Sequence, residues 1–314
     1  MKLFWILLFF VIYFLGLFFI YFSFPEKTFS EEGTVNFYSC VKYDCVQIFL
    51  DLVNSSDEIE CAFYDLNEPR LLNYFENNDE HLLLYGPNNK YNLGTSINIV
   101  GLMHHKFCVF DKQLTLTGSW NPTKRGTEKN DNYIVLIKSN FISNNFLTEY
   151  LRLKKGEKKG AQGISVNLSG TEIQTCFSPN NHCGKNILDK LSLAKKSIYF
   201  LAFSFTDKEI ANTILNLTKL VDVTVLFEKT RITTFSTYYL LKNTSVKVLM
   251  DGNPYTMHEK LILIDNKTVI LGSYNPSISA DERNDENLLT LSNLNSDFLQ
   301  DIYAEIVRVV KVAK

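Results

Sequence analysis

The chain has 314 residues, 46% of them hydrophobic, and its 32 lysines and arginines are nearly balanced by 34 aspartates and glutamates. A chain of this length forms one large domain or two medium ones, each with its own core. The near-neutral charge excludes a globally basic nucleic-acid-binding protein and leaves only a local basic groove open.

The chain begins with an apolar segment. Residues 3–24 contain no charged residue, and about 20 helical residues are enough to cross a bilayer. A cleaved signal peptide is the alternative, but its apolar stretch is about 7 to 15 residues long, and no small-residue cleavage site follows here. Lys2 precedes the segment and acidic residues follow it. We therefore expect a single-pass membrane anchor and connector over residues 1–30, with the rest of the chain extracytoplasmic.

Strands and helices are predicted to alternate after the connector, from apolar runs and their periodicity. Strands are predicted at 34–38, 58–64, 81–85, 106–111, 114–117 and 133–137, and helices at 45–53, 68–75 and 144–153. The stretch 152–171 is rich in Lys, Gly and Ser and lacks this periodicity, which indicates a joint between two halves.

The second half repeats the first. IECAFY at 59–64 parallels IYFLAF at 198–203, with Ala62 matching Ala202 at an offset of 140, and the second half then gains 14 residues within 221–255. An internal duplication of this kind predicts two domains with one fold. We place these domains at 31–153 and 171–314, with a linker at 154–170.

Four of the six cysteines lie as two close pairs, one at the start of each half. The pairs are Cys40 with Cys45 and Cys176 with Cys183. We expect two local disulfides, which fit an oxidising compartment. Free thiols and a zinc site with His182 are the alternatives, although neither pair has the C-x2-C spacing typical of zinc ligands. Cys61 and Cys108 lie in apolar strand-like runs, and we expect them to be core residues.

One motif occurs twice in the chain. MHHKFCVFDKQLTLTGSWN begins at Met103 and MHEKLILIDNKTVILGSYN begins at Met257, at a constant offset of 154. In a strand, residues i and i+2 point to the same face, so the His and Lys of each copy project into one pocket. The shared positions are His104, Lys106, Asp111, Gly118, Ser119 and Asn121 in the first copy, and His258, Lys260, Asp265, Gly272, Ser273 and Asn275 in the second.

The repeated motif resembles the paired HKD motifs of the phospholipase D superfamily, over nearly everything after the N-terminal segment. The resemblance implies an α/β fold of two duplicated domains, each a mixed sheet flanked by helices, related by a pseudo-twofold axis with the active site between them. It also implies cleavage or exchange of phosphodiesters without a metal or cofactor. Because one chain holds both motifs, a monomer can form a complete site.

The resemblance also implies roles for the shared residues. A phosphodiester is anionic, so its cleavage needs charge neutralisation, a nucleophile and an acid for the leaving oxygen. In the superfamily one histidine attacks phosphorus and the other protonates the leaving group. The residues implied to hold phosphoryl oxygens are Lys106, Lys260, Asn121 and Asn275. The residues implied to support them are Ser119 and Ser273, together with Asp111 and Asp265 at hairpin turns.

The halves differ just after the motif. The second reads Asn-Asp-Glu-Asn at 284–287, and the first reads Asn-Asp-Asn-Tyr at 130–133, so the amide of Asn132 replaces the carboxylate of Glu286. A carboxylate hydrogen-bonded to a histidine fixes its tautomer and favours its cationic or phosphorylated form. We expect Glu286 to reach across to His104, which makes His104 the nucleophile and His258 the general acid.

Three functions are consistent with these residues. We slightly favour a phospholipase D-like enzyme that hydrolyses phospholipid headgroups at a membrane, because of the predicted span at 3–24. A membrane-anchored endonuclease is the alternative, and it would need a basic groove. A non-catalytic binding module is the third, and the two intact His-Lys pairs argue against it.

Overall fold

The computed structural model describes residues 28–179 and 181–314, which form two mixed β-sheets flanked by helices. The strands are β1 Thr28–Glu31, β2 Thr34–Ser39, β3 Ile59–Phe63, β4 Leu82–Tyr85, β5 Thr95–Ile97, β6 Lys106–Phe110, β7 Leu114–Gly118, β8 Tyr133–Lys138, β9 Ser165–Leu168, β10 Thr171–Ser178, β11 Ser197–Ala202, β12 Asp222–Phe227, β13 Lys247–Met250, β14 Lys260–Ile264, β15 Thr268–Gly272 and β16 Glu286–Ser292. The helices are α1 Cys45–Asn54, α2 Pro69–Phe75, α3 Lys124–Glu128, α4 Asn140–Lys155, α5 Cys183–Leu191, α6 Lys208–Leu217, α7 Tyr238–Leu241, α8 Ile278–Glu282 and α9 Ser296–Val312.

The two sheets share one strand order. The first runs β2-β8-β7-β6-β3-β4-β5, and the second runs β1-β9-β10-β16-β15-β14-β11-β12-β13. Seven strands of each sheet therefore correspond one to one. In the first sheet β4 runs parallel to β3, and in the second sheet β12 runs parallel to β11. On their other sides β3 and β11 pair with antiparallel strands, β6 and β14. The predicted duplicated α/β fold with mixed sheets is confirmed.

The strand pairing corrects the alignment of the two halves. Phe63 pairs with Lys106 and Ala202 pairs with Lys260, so the counterpart of Ala202 is Phe63, at an offset of 139. The predicted match of Ala62 to Ala202 was wrong by one residue, and in a strand such a slip exchanges the two faces. The offset of 154 at the repeated motif exceeds 139 by 15 residues, which is the length that the second half gains in between.

A central core joins the halves. Buried side chains from both sheets pack together with those of α4 and α9 into one apolar cluster. Helices α1 and α2 cover the outer face of the seven-stranded sheet, and α5 and α6 cover the outer face of the nine-stranded sheet. The relative position of the halves is therefore fixed by burial of apolar surface, the main favourable term in folding.

The stretch predicted as a linker contains regular structure. Helix α4 continues to Lys155, and β9 lies inside residues 154–170, where it pairs with β10 and with β1. Strand β1 thus joins the nine-stranded sheet, whereas β2 belongs to the other sheet. We keep 31–153 and 171–314 as proposed limits of the repeat units, with β1 and β9 as additions to the second sheet.

All six cysteines form disulfides. The two predicted local disulfides, Cys40–Cys45 and Cys176–Cys183, are confirmed. Each connects the end of a strand or turn to the first residue of a helix, α1 in the first half and α5 in the second.

The third disulfide joins Cys61 to Cys108. The predicted core location of these two cysteines is confirmed, since both side chains are buried, but their pairing was not predicted. The two cysteines lie opposite each other on β3 and β6, where the second half has the apolar pair Phe200 and Ile262 on β11 and β14. Because the two cysteines are 47 residues apart, no local spacing in the sequence indicated that they pair.

The predicted membrane anchor is corrected. Within residues 28–179 and 181–314, no helix combines the length and the apolar character that a bilayer crossing requires. The predicted span at 3–24 lies outside the described residues. The transmembrane helix in the fold prediction, and the single-pass localisation derived from it, are therefore not part of the described structure.

Loop length predicts which disulfide stabilises the fold most. In the chain-entropy model the closure of 47 residues by Cys61–Cys108 is worth about 4 kcal/mol, and the closure of 5 residues by Cys40–Cys45 about 2 kcal/mol. The double replacement of Cys61 and Cys108 by alanine is expected to lower the free energy of unfolding by roughly twice as much as the double replacement of Cys40 and Cys45. Urea denaturation of both variants measures this difference, and equal losses would contradict the loop-length account.

Candidate active site

Two hairpins place both His-Lys pairs at the boundary between the halves. Strand β6 begins at Lys106 and β14 at Lys260, and each histidine lies two residues earlier. Since side chains alternate along an extended chain, His104 points to the same side as Lys106, and His258 to the same side as Lys260. All four side chains are nine-tenths buried or more, with 1 to 7% of each residue exposed.

Each half holds the other half's histidine by its backbone. The N–H of His104 donates to the carbonyl of Asp285, and the N–H of His258 donates to the carbonyl of Asp131, each at 2.9 Å. Both contacts belong to short parallel bridges between the halves. The position of each histidine is therefore set by the opposite half.

A carboxylate from the second half contacts the ring of His104. Glu286 Oε2 lies 2.9 Å from His104 Nδ1, and both groups are buried. Asn284 Nδ2 donates to Glu286 Oε1 at 3.0 Å, so both carboxylate oxygens have a partner. Because the carboxylate accepts at Nδ1, the His104 ring carries a proton there, and its Nε2 is the nitrogen left for chemistry.

The ring of His258 has neutral partners. Its Nδ1 lies 3.0 Å from the carbonyl oxygen of Ser119 and 3.0 Å from Asn132 Oδ1. Asn132 holds the position that Glu286 holds in the other half, at the offset of 154. The two rings therefore have the same tautomer, and their surroundings differ by one buried charge.

The two lysines lie against the backbone of their histidines and against aromatic rings. Lys106 Nζ donates to the carbonyl of His104 at 2.6 Å, and Lys260 Nζ donates to the carbonyl of His258 at 2.7 Å. Lys260 Nζ also lies 3.0 Å from His258 Nε2. The ammonium groups lie over aromatic rings of Tyr64 and Phe203, at 5.2 and 4.4 Å from the ring centroids.

One cavity of about 730 Å³ opens above these groups and is lined by both halves. Both histidines line it, as do Asn121 and Asn275. The Oδ1 atoms of these two asparagines are buried and have no hydrogen-bond partner among the described residues. Two unpaired amide oxygens beside two histidines suit a polar ligand, since buried polar groups are otherwise almost always paired.

The predicted supporting residues lie outside the cavity lining. The hydroxyl of Ser119 accepts from the N–H of Tyr133 at 3.1 Å, and that of Ser273 accepts from the N–H of Asn287 at 3.0 Å. They join the ends of neighbouring strands. Asp111 accepts two backbone N–H groups at 2.9 Å, and Asp265 accepts three at 2.7 to 2.9 Å. Both aspartates lie in hairpin turns at positive φ.

Burial sets the charge of the central groups. Burial, followed by repulsion from the two lysines, lowers the pKa of both histidines well below its usual value. Burial also lowers the pKa of Lys106 to about 7 and lowers the pKa of Lys260 well below its usual value. The pKa of Glu286 is raised by burial to about 7. An anion bound beside the two lysines and two histidines would favour the protonated forms of these four groups.

The structure adds a buried network that the sequence did not suggest. His105 is fully buried, with Nε2 at 2.9 Å from Glu149 and Nδ1 at 3.3 Å from Asn287. Arg152 donates to Glu149 and to Asp285, each at 2.6 Å. The signal for it was the pair Glu149 and Arg152, one turn apart on the apolar side of a helix.

A matching network lies in the other half. Arg308 donates to Asp131 at 2.9 Å and to Glu305 at 2.5 Å. Glu259 takes the position that His105 has in the first half, and its pKa is raised well above the usual value by burial and then by repulsion from Glu305. In both halves an arginine thus fixes the aspartate whose carbonyl holds a catalytic-motif histidine.

The residues of the cavity wall that the sequence did not single out include two aromatic residues and two arginines. They are Tyr64, Phe203, Arg125 and Arg231. The ring of Tyr64 is 4.9 Å from the ring of His104, and that of Phe203 is 4.4 Å from the ring of His258. Tyr64 and Phe203 follow β3 and β11 directly, so the corrected offset of 139 would have matched them.

Known proteins resemble this chain in sequence and in fold. A family model described as cardiolipin synthase, PLD-like domain, matches residues 68–154 and 187–309. A protein named phospholipase D from Rickettsia prowazekii (strain Madrid E) is 34% identical over 141 residues, which cover 44% of this chain and 69% of that protein. The protein of the same name from Rickettsia typhi has the same identity and coverage.

Two solved structures share the architecture over most of the chain. Phosphatidylserine synthase from Haemophilus influenzae Rd KW20 aligns with a TM-score of 0.68 at 12% identity, over 89% of this chain and 87% of that chain. Polyphosphate kinase from Porphyromonas gingivalis aligns with a TM-score of 0.67 at 9% identity, over 88% of this chain and 47% of that chain. At these identities the likeness concerns the fold alone.

The lowered pKa values predict that anion binding takes up protons. Sulfate carries no proton near pH 7, so any uptake on its binding comes from the protein. An anion raises the pKa of Lys106 from about 7 and raises those of the histidines, so more protons are bound in the complex. Calorimetric titration in buffers of different ionisation enthalpy measures this uptake.

The matched variants are Lys106→Met, which should take up fewer protons, and Lys219→Met at an exposed position, which should behave like the original protein. Binding heats that do not depend on the buffer would contradict the prediction.

Proposed function

The chain belongs to the phospholipase D-like family, whose members are phosphodiesterases, and from this premise we propose that it hydrolyses phosphodiesters through a covalent phosphohistidine on His104. The observation that supports this most is one cavity lined by a histidine from each half, with the lysine of each pair donating to the carbonyl of that histidine. Neither half contains all the groups that the reaction needs.

Substrate binding uses the cationic centre. The phosphodiester anion lies between Lys106 and Lys260, which neutralise the nonbridging oxygens, and the amides of Asn121 and Asn275 donate to the same oxygens. The anion raises the pKa of His258 toward the protonated form that an acid requires. Desolvation of the lysines thus becomes useful, since a dry cation attracts an anion more strongly than a hydrated one.

In the first step His104 Nε2 attacks phosphorus. A bond forms between nitrogen and phosphorus, and the bond from phosphorus to the leaving oxygen breaks. That oxygen takes the proton of His258 Nε2 and departs as an alcohol. The imidazolium character that develops on His104 is stabilised by the carboxylate of Glu286 at 2.9 Å.

In the second step His258 acts as a base. Its neutral Nε2 removes a proton from water, the water oxygen attacks phosphorus, and the bond from phosphorus to His104 breaks. The products are a phosphomonoester and the original enzyme with His258 protonated again. One residue thus acts as acid and then as base, as a two-step displacement requires.

The assignment of the nucleophile follows from the buried charge. A histidine that becomes phosphorylated gains positive character, and a carboxylate at Nδ1 stabilises this state more than an amide does. His104 has the carboxylate of Glu286, and His258 has the amide of Asn132 and a carbonyl. His104 is therefore the better nucleophile and His258 the better acid.

We favour phospholipids as the substrate class. The support comes from the relatives named phospholipase D, which are 34% identical over 141 residues, and from the family model described as cardiolipin synthase, PLD-like domain. The reaction would release the headgroup alcohol and leave a phosphatidic acid.

A nuclease is the second candidate because the cavity wall is largely polar. Asn130, Asn284, Thr230 and Thr256 line it along with the reacting groups, and such a wall suits a nucleic-acid backbone as well as a lipid headgroup.

A diester with an activated leaving group separates the two histidines. Bis(4-nitrophenyl) phosphate releases a phenolate that needs no proton, so His258→Ala should still phosphorylate His104. It should then stall, because no base activates water. Rapid-mixing kinetics should show a burst of about one nitrophenol per enzyme, with the phosphoryl group on His104. His104→Ala should show no burst, and the opposite pattern would exchange the two roles.

A substrate panel tests the reaction and the lipid assignment together. The full chain should hydrolyse phosphatidylcholine, phosphatidylglycerol or cardiolipin in nonionic detergent micelles, and the double variant His104→Ala, His258→Ala should lose about 10⁴-fold or more in rate. Thin-layer and mass-spectrometric detection of phosphatidic acid measures the product. Turnover of single- or double-stranded nucleic acid instead, lost in the same variant, would replace lipid by the second candidate. Turnover of no diester would refute the proposed function.

A further inference from the structure

A comparison of equivalent residues in the two halves shows where the charge of the cavity wall differs between them. Residues at the offset of 154 are counterparts around the motif, and helix α3 matches α8 at that offset. Arg125 on α3 therefore corresponds to Ser279 on α8. The cavity wall has a guanidinium at this place on one side, whereas the equivalent Ser279 lies outside the cavity lining.

A second difference in charge between the halves lies just after β4 in the first half and just after β12 in the second. The pairing of β3 with β4 and of β11 with β12 places Leu84 and Phe227 in equivalent positions, at an offset of 143. One-turn 3₁₀ helices follow both strands at this offset, at Gly86–Asn88 and Lys229–Arg231. Arg231 therefore corresponds to Asn88, whose side chain donates to the carbonyl of Tyr64 at 2.9 Å.

Both arginines lie on the His258 side of the cavity. The guanidinium of Arg231 lies 4.8 Å from the ring centroid of Phe203, and that ring contacts the ring of His258 at 4.4 Å. Arg125 Nη2 donates to the hydroxyl of Thr256 at 3.3 Å, two residues before His258.

Neither arginine is neutralised by the protein. Among the described residues, no carboxylate forms an ion pair with Arg125 or with Arg231, whereas Arg70, Arg152 and Arg308 each have at least one such partner. The charge of Arg231 also acts on the centre of the site, because it contributes to the lowered pKa of Lys260. Two unpaired guanidinium groups in one cavity wall suit an anion, for which arginine is the preferred ligand.

We propose that Arg125 and Arg231 bind a second phosphate of the substrate, on the leaving-group side of the scissile phosphodiester. This inference rests on the proposed function, in which His258 protonates the leaving oxygen. The side on which His258 lies is then the side of the departing alcohol. The substrate class is a phosphodiester whose leaving alcohol itself carries a phosphate, in a lipid or in a nucleotide chain.

Paired substrates measure this preference. Cardiolipin has a leaving alcohol with a second phosphate, and phosphatidylglycerol has one without, so the two are compared in the same nonionic micelles. A dinucleoside monophosphate with terminal phosphates is compared with the same compound without them. In each pair the readout is the ratio of kcat/KM for the member with the second phosphate to that for the member without. For the original protein, a ratio above one in the lipid pair or in the nucleotide pair shows which kind of molecule carries the second phosphate.

The variants are Arg125→Gln and Arg231→Gln, with Arg283→Gln as the control at an exposed arginine outside the cavity lining. Each of the first two should lower kcat/KM about tenfold for the member with the second phosphate, the size of one charge-assisted hydrogen bond. Each should lower it by a smaller factor for the other member, and the control should change neither. Equal losses on both members, or no loss on either, would overturn the proposal.

A binding measurement keeps this test separate from catalysis. Inorganic pyrophosphate should bind the original protein more tightly than inorganic phosphate, and the two arginine variants should remove that difference while the control keeps it. If no diester is turned over but this pattern holds, the proposed function fails and the second-phosphate site stands. If turnover is lost in the histidine double variant but the arginine variants bind pyrophosphate as tightly as the original protein does, the proposed function stands and the second-phosphate site fails.

Discussion

The site depends on a reciprocal exchange between the two halves. The backbone carbonyl of Asp285 holds His104, the carbonyl of Asp131 holds His258, and both contacts are 2.9 Å long. Arg152 and Arg308 reach across from α4 and α9 to fix the side chains of the same two aspartates. A displacement of one half against the other would therefore move both histidines at once. The shared apolar core opposes such a displacement, because separating the halves would expose its surface to water.

Burial gives this arrangement its chemical character. Four basic side chains lie in one place with little solvent, and their own repulsion and desolvation favour their neutral forms. In the proposed mechanism a phosphodiester supplies the negative charge that reverses this preference, so that substrate binding and protonation of the acid are coupled. The cost of burying the groups in the folded protein is thus offset when the substrate binds, which is a common arrangement in active sites.

A duplicated fold would by itself give two equivalent histidines, and a few replacements remove the equivalence. Glu286 stands where the first half has Asn132, so one ring has a carboxylate and the other an amide. Arg231 stands where the first half has Asn88, and it makes one side of the cavity more positive. Each replacement lies at an equivalent backbone position of the two halves, so it changes the charge without changing the position of the backbone. In the proposed mechanism these differences decide which histidine attacks phosphorus and which one protonates the leaving oxygen.

The sequence determined the duplication, most helices and strands, the mixed α/β class, two of the three disulfides and the residues of the central motif, because these depend on local spacing. Only the tertiary structure decided the disulfide between Cys61 and Cys108 and the place of Arg231 on the cavity wall. The disulfide joins residues 47 positions apart and Arg231 lies outside the repeated motif, so no periodicity marks either of them. The contact of Glu286 with His104 was expected from the sequence, and the structure gave its geometry. The offset near Ala62 was wrong by one residue because similar residues in adjacent strand positions match equally well in sequence, whereas hydrogen bonding in a sheet allows one register only.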